Sequence, residues 1–376
     1  MKFPRIYDDL DSRLKPNKVL VLYGPRRVGK TTLLTNYLSQ TQFKYQLDSG
    51  DNIKIQHLLS SQDFDQILPY VSQFQLYCVD EAQNVPNIGT SLKIIVDQVP
   101  GIRVIATGSS SFDLSGQVGE PLVGRQNTLT LFPLSQMELS KNYSPFELET
   151  KFLPDILIFG AYPLVLASPR PQKANILEDL VSSYLFKDIL SLENVKNSKV
   201  LLDLLKLIAF QVGNEVSLTE LGQQLNLDYK TVARYLDLFE KCFILINLRG
   251  FSRNLRTEVT KKSKYFFYDN GIRNAIISNF NPLDTRNDLG ALWENFLISE
   301  RLKYQKYKPL YANNYFWRTW DQKEIDFLEE REGKLFGYEF KYSISNTPPA
   351  PSLFNSTYPN SSYQVINPKN YLTFTS

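Results

Sequence analysis

One histidine, His57, stands in a chain of 376 residues. Imidazole this scarce excludes His-rich zinc sites and disfavours a Ser-His-Asp nucleophile. Cysteine is nearly absent too. Cys78 and Cys242 sit inside apolar runs, which fits buried, reduced thiols of a cytoplasmic protein better than a disulfide framework. No apolar stretch approaches the ~18 uninterrupted residues of a membrane span. The nearest, residues 156–167, contains Gly160 and Pro163. The opening MKFPRIYDDLDSRLK has no apolar core, so neither a secretory leader nor a membrane partner is expected. No repeat at a period of 20–50 residues stands out. Charge of one sign is missing as well: the net charge is +3 and by itself points to no partner.

What is present is an ordinary globular balance, 43% hydrophobic and 22% charged, which excludes wholesale disorder. The length leaves room for two or three domains at roughly 100–200 residues each. Three blocks are expected. Residues 1–140 alternate short apolar strands with helical patterns, the sign of a parallel sheet with crossover helices. Strands are predicted at Val19–Tyr23, Leu76–Val79, Arg103–Thr107 and Thr128–Leu131. Residues 141–285 are mainly helical at first, with a strongly apolar helix over Leu201–Phe210. Residues 286–376 open with a long helix and continue into aromatic-rich strands. From Ser343 the chain is rich in Ser, Asn, Pro and Tyr and reads as either a packed irregular extension or a loose end.

The strongest motif is Gly24-Pro25-Arg26-Arg27-Val28-Gly29-Lys30-Thr31, followed by Thr32, a full match to G-x4-G-K-[ST]. A buried strand precedes it and a helix over Thr31–Leu38 follows, the context the motif requires. Gly24 and Gly29 permit the tight turn that points amides at phosphate oxygens. The helix N-terminus adds its positive dipole end. Lys30 brings a point charge to the β- and γ-phosphates, and the Thr31 hydroxyl is placed to ligate Mg²⁺. The cofactors expected are therefore ATP and Mg²⁺. Some 50 residues on, an apolar strand ends in Asp80 and Glu81. Asp80 would hold the metal through water, and Glu81 would act as general base on the attacking water. The next strand ends in Ser109, Ser110 and Ser111, where a hydroxyl either senses the γ-phosphate or simply serves the turn.

Residues 241–280 hold eight basic and two acidic side chains, so a local excess of six positive charges sits on a near-neutral chain. Just before them, Glu215–Asn226 and Tyr229–Glu240 read as two helices joined by a short turn, a helix-turn-helix unit spanning about 215–270 with its following strands. Leu218, Leu221 and Leu225 face inward on the first helix, with Ser217 or Thr219 as cap. On the second, Val232, Leu236 and Phe239 face inward, and Lys230, Thr231, Arg234 and Tyr235 face out. Strands at Phe243–Leu248 and Lys264–Tyr268 bracket a basic loop that contains Arg253, Arg256, Lys261 and Lys262, as a wing would. Two readings stay open: DNA contact through the second helix and the wing, or a protein-contact or lid element.

Towards the end, a helix over Leu289–Glu300 carries Glu294. A strand at Tyr315–Arg318 follows, then Glu324-Ile-Asp326, then Glu339-Phe-Lys341. The strand period of two puts Glu339 and Lys341 on one face and Tyr338, Phe340 and Tyr342 on the other.

Gly24–Thr31, Asp80-Glu81-Ala82-Gln83 and Ala106–Ser109, with Leu122-Val-Gly-Arg125 and Leu131–Ser135 downstream, resemble the AAA+-type P-loop ATPases of archaea and bacteria. In that group an ATPase core precedes a winged helix and a nuclease-like C-terminal domain. The resemblance implies an α/β fold with a P-loop parallel-sheet core, a helical and winged-helix middle and a PD-(D/E)XK-like α/β end. It places Arg125 where an arginine finger or sensor acts in cis or in trans, a salt bridge being the alternative. The order helix Glu, strand Asp, strand Glu-x-Lys resembles the PD-(D/E)XK nuclease fold. That chemistry implies Mg²⁺ on Asp326 and Glu339, water activation by Lys341 and support from Glu294. Three functions stay open: an ATP hydrolase coupled to its C-terminal domains, a nucleotide-switched DNA-binding module, and an ATP-regulated nuclease. Oligomeric state is left undetermined.

Overall fold

The computed structural model describes residues 3–109, 121–185, 198–251, 263–319, 322–343 and 348–376. Five strands, β1 (Lys18–Tyr23), β2 (Tyr45–Ser49), β3 (Leu76–Asp80), β4 (Arg103–Gly108) and β5 (Gln126–Thr130), form a sheet in the order β2-β3-β4-β1-β5. Every pairing in it is parallel. Three of the strands, β1, β3 and β4, are legible as apolar runs, whereas β5, reading QNTLT, is apolar only at Leu129. β2 is not legible either: it is a short edge strand reading YQLDS, in which only Asp48 is buried.

The alternation along β1 shows why both sheet faces must be covered. Leu20 and Leu22 pack with Leu33 and Leu34 of helix α1 (Lys30–Leu38). Val19 and Val21 pack on the opposite side with Leu92 and Ile95 of α4 (Ile88–Gln98), and with α2 (Ile53–Ser60) and α3 (Phe64–Val71). A strand buried on both faces reads as a continuous apolar run. Each such side chain contributes about 1.5–3 kcal/mol of transfer free energy. Because β1 lies between β4 and β5, its carboxyl end opens into the crevice where the crossovers diverge, the usual ligand position in such sheets. Cys78 lies in this core, and Cys78 and Cys242 are both buried and form no disulfide.

The helical middle includes α5 (Leu153–Phe159), α6 (Ser198–Phe210), α7 (Leu218–Leu225) and α8 (Tyr229–Lys241). Ser217 caps α7 by accepting from the Glu220 amide. Asn226, at φ 54°, ends it in the left-handed region. Asp228 then starts α8 by accepting from the amides of Lys230 and Thr231. Val232, Leu236 and Phe239 are buried, as their spacing predicts. Tyr235 differs from expectation: it is buried rather than outward-facing. It stands three residues after Val232 and four before Phe239, so it shares their stripe. Lys230 and Arg234 are exposed.

The two strands after α8, β7 (Leu245–Gly250) and β8 (Ser263–Phe267), form an antiparallel hairpin edged by the two-residue β6 (Glu215–Val216). This hairpin does not stand apart. Helix α9 (Asn270–Ile276) and the long α10 (Leu289–Tyr307) lead on to β9 (Asn313–Arg318), β10 (Glu324–Arg331), β11 (Lys334–Phe340) and β12 (Ser362–Ile366). β9 pairs in parallel with β7, matching Arg249 with Tyr315 and Gly250 with Phe316. The result is one seven-stranded sheet, β12-β11-β10-β9-β7-β8-β6, crossing the boundary expected near residue 285. The tail packs rather than hangs loose: Phe354, Ile366 and Tyr371 are fully buried. Among the described residues, no helix is long and apolar enough to cross a membrane.

Candidate nucleotide site and an acidic cluster

At the end of β1 the chain turns at Gly24, with φ 150°. A Cβ there would lie 2.0 Å from the Leu131 carbonyl oxygen, so the close approach of the two segments requires glycine. Arg27 at φ 63° and Gly29 at φ 97° carry the loop through two left-handed positions before α1 begins at Lys30. Pro25 and Val28 are buried, Arg26 is half-buried, and Arg27 and Thr32 are exposed. The Lys30 side chain lies back over the loop, and its Nζ donates to the carbonyls of Gly24 and Pro25 at 2.8 Å each.

Two more elements converge on the same spot. The Thr31 hydroxyl donates to Asp80 Oδ2 at 2.9 Å. The Thr107 hydroxyl donates to the other oxygen of Asp80 and accepts from the Glu81 amide at 3.1 Å. A hydroxyl on α1 and a carboxylate at the end of β3, though 49 residues apart, thus share one point. Oxygen donors of this kind fit a small hard cation, so Thr31 and Asp80 suit Mg²⁺. Glu81 follows at φ 52°. Its Oε2 accepts from the Gln83 amide, which also donates to Ser109 Oγ at 3.2 Å. Gln83 is buried, and its Oε1 has no hydrogen-bond partner. Gln83 therefore ties the candidate base to the hydroxyl that follows β4. Sequence reading missed this role; the available signal is a single amide two residues after Glu81. Ser110 and Ser111 lie outside the described residues.

Arg125 is placed elsewhere. It immediately precedes β5, and its carbonyl accepts from the Val19 amide at the start of β1, the opposite end of the strand from Gly24. Its Nε donates to Asp97 Oδ1 at 2.6 Å. Within this chain Arg125 is therefore a salt-bridge residue, not a γ-phosphate contact. Five residues of strand, at about 3.3 Å each, separate it from the loop.

The C-terminal carboxylates do come together. β10 and β11 pair Phe327 with Tyr338, so Asp326 and Glu339 stand opposite one another. Lys341 Nζ lies 2.7 Å from Glu339 Oε1, on the face expected. Glu294 reaches in from α10. A further residue enters from the hairpin: Lys264, 3% exposed, pairs with Glu324 and lies 3.6 Å from Glu294 Oε1. Burial lowers the Lys264 pKa, but Glu294 and Glu324, then Asp326, outweigh it and hold the ammonium above its ordinary range. Burial and then Asp326 push Glu294 up to about 8. Burial and then Glu339 push Asp326 up to about 7, although the Phe340 amide donates to it at 2.7 Å. Lys264 and Lys341, with Arg318 3.6 Å from Glu324, face four carboxyls (Glu294, Glu324, Asp326 and Glu339), so the cluster is short of positive charge and burial favours the protonated forms of Glu294 and Asp326.

This arrangement changes the expectation of Mg²⁺ on Asp326 and Glu339. Among the described residues, no group of three or more His, Cys, Asp or Glu side chains is arranged to hold a metal ion. The pair's neighbours are mixed: Glu294 brings a further carboxyl, whereas Lys341 and Lys264 bring ammonium groups that already neutralise part of the charge a cation would meet. Of the residues proposed for DNA contact, Lys230 and Arg234 lie exposed on α8, whereas Arg253, Arg256, Lys261 and Lys262 lie outside the described residues.

Residues 16–140 match the AAA domain family. Residues 150–283 and 289–374 match two domains of unknown function, DUF8612 and DUF4143. An uncharacterized protein of Haemophilus influenzae is 25% identical over 351 residues, covering 87% of this chain and 83% of its own. Uncharacterized proteins of Methanocaldococcus jannaschii and Mycobacterium tuberculosis are each 25% identical; they cover 87% and 86% of this chain, and 75% and 70% of their own. A solved Walker-type ATPase of Pyrococcus abyssi aligns over 69% of this chain and 91% of its own, with a TM-score of 0.46 and 16% identity. The N-terminal part of the chain is thus similar to the AAA domain family, and the two segments after it match families to which the comparisons attach no activity.

Proposed function

We propose that the chain is a Mg²⁺-dependent ATP hydrolase. The observation that carries this reading is the contact between Thr31 and Asp80 beside a loop spanned by Lys30. Mg²⁺ held by Thr31 and Asp80 supplies charge neutralisation at the β- and γ-phosphates. Lys30 exchanges its two carbonyl partners for phosphate oxygens, a charge-assisted and therefore stronger contact. Glu81 accepts the proton of the attacking water, with the Gln83 amide on Oε2 leaving Oε1 to face it. Ser109 donates to the γ-phosphate. Phosphate release by the purified full chain, measured with Lys30→Ala in parallel, tests this; equal release by both removes the site from the activity.

A DNA contact through α8 is the second reading, favoured by the exposure of Lys230 and Arg234. In it, α7, α8 and the β7–β8 hairpin form the winged helix of a middle domain ending near residue 285, and nucleotide state is passed to it and to the C-terminal domain. Adding duplex DNA to the phosphate-release assay tests the coupling.

A further inference from the structure

Arg5 lies outside every motif and is 7% exposed. All its guanidinium nitrogens are used. Nε donates to Glu138 Oε1 at 2.9 Å, Nη2 to the Phe132 carbonyl at 2.7 Å, and Nη1 to the Val28 carbonyl, inside the phosphate loop, at 2.7 Å. The guanidinium is itself held. Glu138 closes a capping box with Ser135 and also accepts from the Ile6 amide. Phe132 is also held through its other backbone group, because the Tyr307 hydroxyl accepts from its amide at 3.1 Å.

A trans peptide directs its N–H opposite to its C=O. Anchoring the Val28 carbonyl on the outside of the loop therefore aims the Gly29 N–H at the inside. Gly29 is the least restrained residue of the loop: it has no side chain, and its φ of 97° is one of many open to glycine. A Cβ at Gly29 would lie 4.0 Å from Arg5 Nη1, so the cation sits directly behind this turn. Its charge also polarises the Val28–Gly29 peptide and makes that N–H a stronger donor.

We propose that Arg5 is a positioning residue for the phosphate loop, setting the Gly29 amide for a nucleotide phosphate from behind without touching the nucleotide. This rests on the reading of the loop as a nucleotide site. The contact is made equally with bound substrate and with the transition state, so its loss acts on KM and not on kcat.

The test uses the full chain and four variants: Arg5→Met, Arg5→Lys, Lys30→Ala and Arg301→Met. Arg301 is an equally buried guanidinium paired with Glu329 in the C-terminal sheet, away from the loop, and reports what losing a buried Arg–Glu pair does by itself. Arg5→Met should raise the Kd for ADP and the KM for ATP about tenfold with kcat within about twofold, the scale of one charge-assisted hydrogen bond. Arg301→Met should lower the melting temperature by a similar amount and leave both constants alone. Arg5→Lys keeps the charge but lacks the planar fork, so its KM should fall in between. Wild-type Kd and KM in Arg5→Met overturn the proposal; if that variant does not fold, wild-type values in Arg5→Lys do so. ADP binding by the wild type that is lost in Lys30→Ala upholds the nucleotide site whatever Arg5 does. A wild type that binds no nucleotide overturns both.

Discussion

Lys264, on the hairpin strand β8, brings its ammonium to 3.6 Å from Glu294 Oε1 on α10. The pair joins segments that sequence reading assigns to different domains, inside a sheet that runs continuously from one to the other. Lys264 has few alternatives to this partner set. It is buried beside Phe316, with its ammonium 5.2 Å from the ring centre, and solvent cannot replace the carboxyls.

Replacing Lys264 with Met should therefore be strongly destabilising, by about 3 kcal/mol, because it leaves buried carboxyls without their cation. Adding Glu294→Gln to that variant should recover part of the loss. Chemical denaturation midpoints of the single and double variants check this, and additive losses would show that the two residues do not interact.

The same cluster sets a pH dependence. Glu294 and Asp326 are raised to about 8 and about 7 in the folded chain. Unfolded, they titrate near the ordinary carboxyl values of about 4.3 and 3.9. The folded state thus binds more protons between those limits, and stability contributed by these groups falls as pH rises from about 4 to about 8. Melting temperatures should decline over that window, and less steeply in Glu294→Gln. An identical slope in the variant would remove Glu294 as the source.

At the phosphate loop, Lys30→Ala should abolish nucleotide binding. Glu81→Gln should keep it and slow turnover by roughly 10²-fold or more, since only the base is lost. Nucleotide titration with single-turnover phosphate release separates the two effects. Wild-type turnover in Glu81→Gln would take Glu81 out of the mechanism.

If α8 meets duplex DNA, Lys230→Ala with Arg234→Ala should flatten the logarithmic dependence of affinity on salt by about 0.9 for each phosphate contact removed. Binding isotherms across a salt series give the slope. An unchanged slope would mean that α8 faces another partner.

The acidic cluster, whose carboxyls already share the Lys264 and Lys341 ammonium groups, should support no Mg²⁺- or Mn²⁺-dependent nicking of DNA. Nicking that disappears in Lys341→Ala while ATP hydrolysis persists would restore the nuclease reading.

Contiguity decided what the sequence alone determined. Gly24–Thr32 announce a phosphate loop because its amides, lysine and hydroxyl are neighbours along the chain, and the flanking strand and helix are local patterns as well. Asp80 and Glu81 were legible because an apolar run ends on them. That Glu339 and Lys341 share a face followed from the strand period of two. Tertiary structure alone decided the rest. Arg5 meets Val28 across 23 residues and Glu138 across 133, and no periodicity records such a contact. Arg125 has the right neighbours in sequence but stands at the wrong end of β1, because a strand carries its two ends far apart. Lys264 reads as one more cation of a basic segment, yet the parallel pairing of β7 with β9 turns it inward among carboxyls. Local chemistry specifies the loop that binds, whereas long-range packing specifies which distant charges stand behind it.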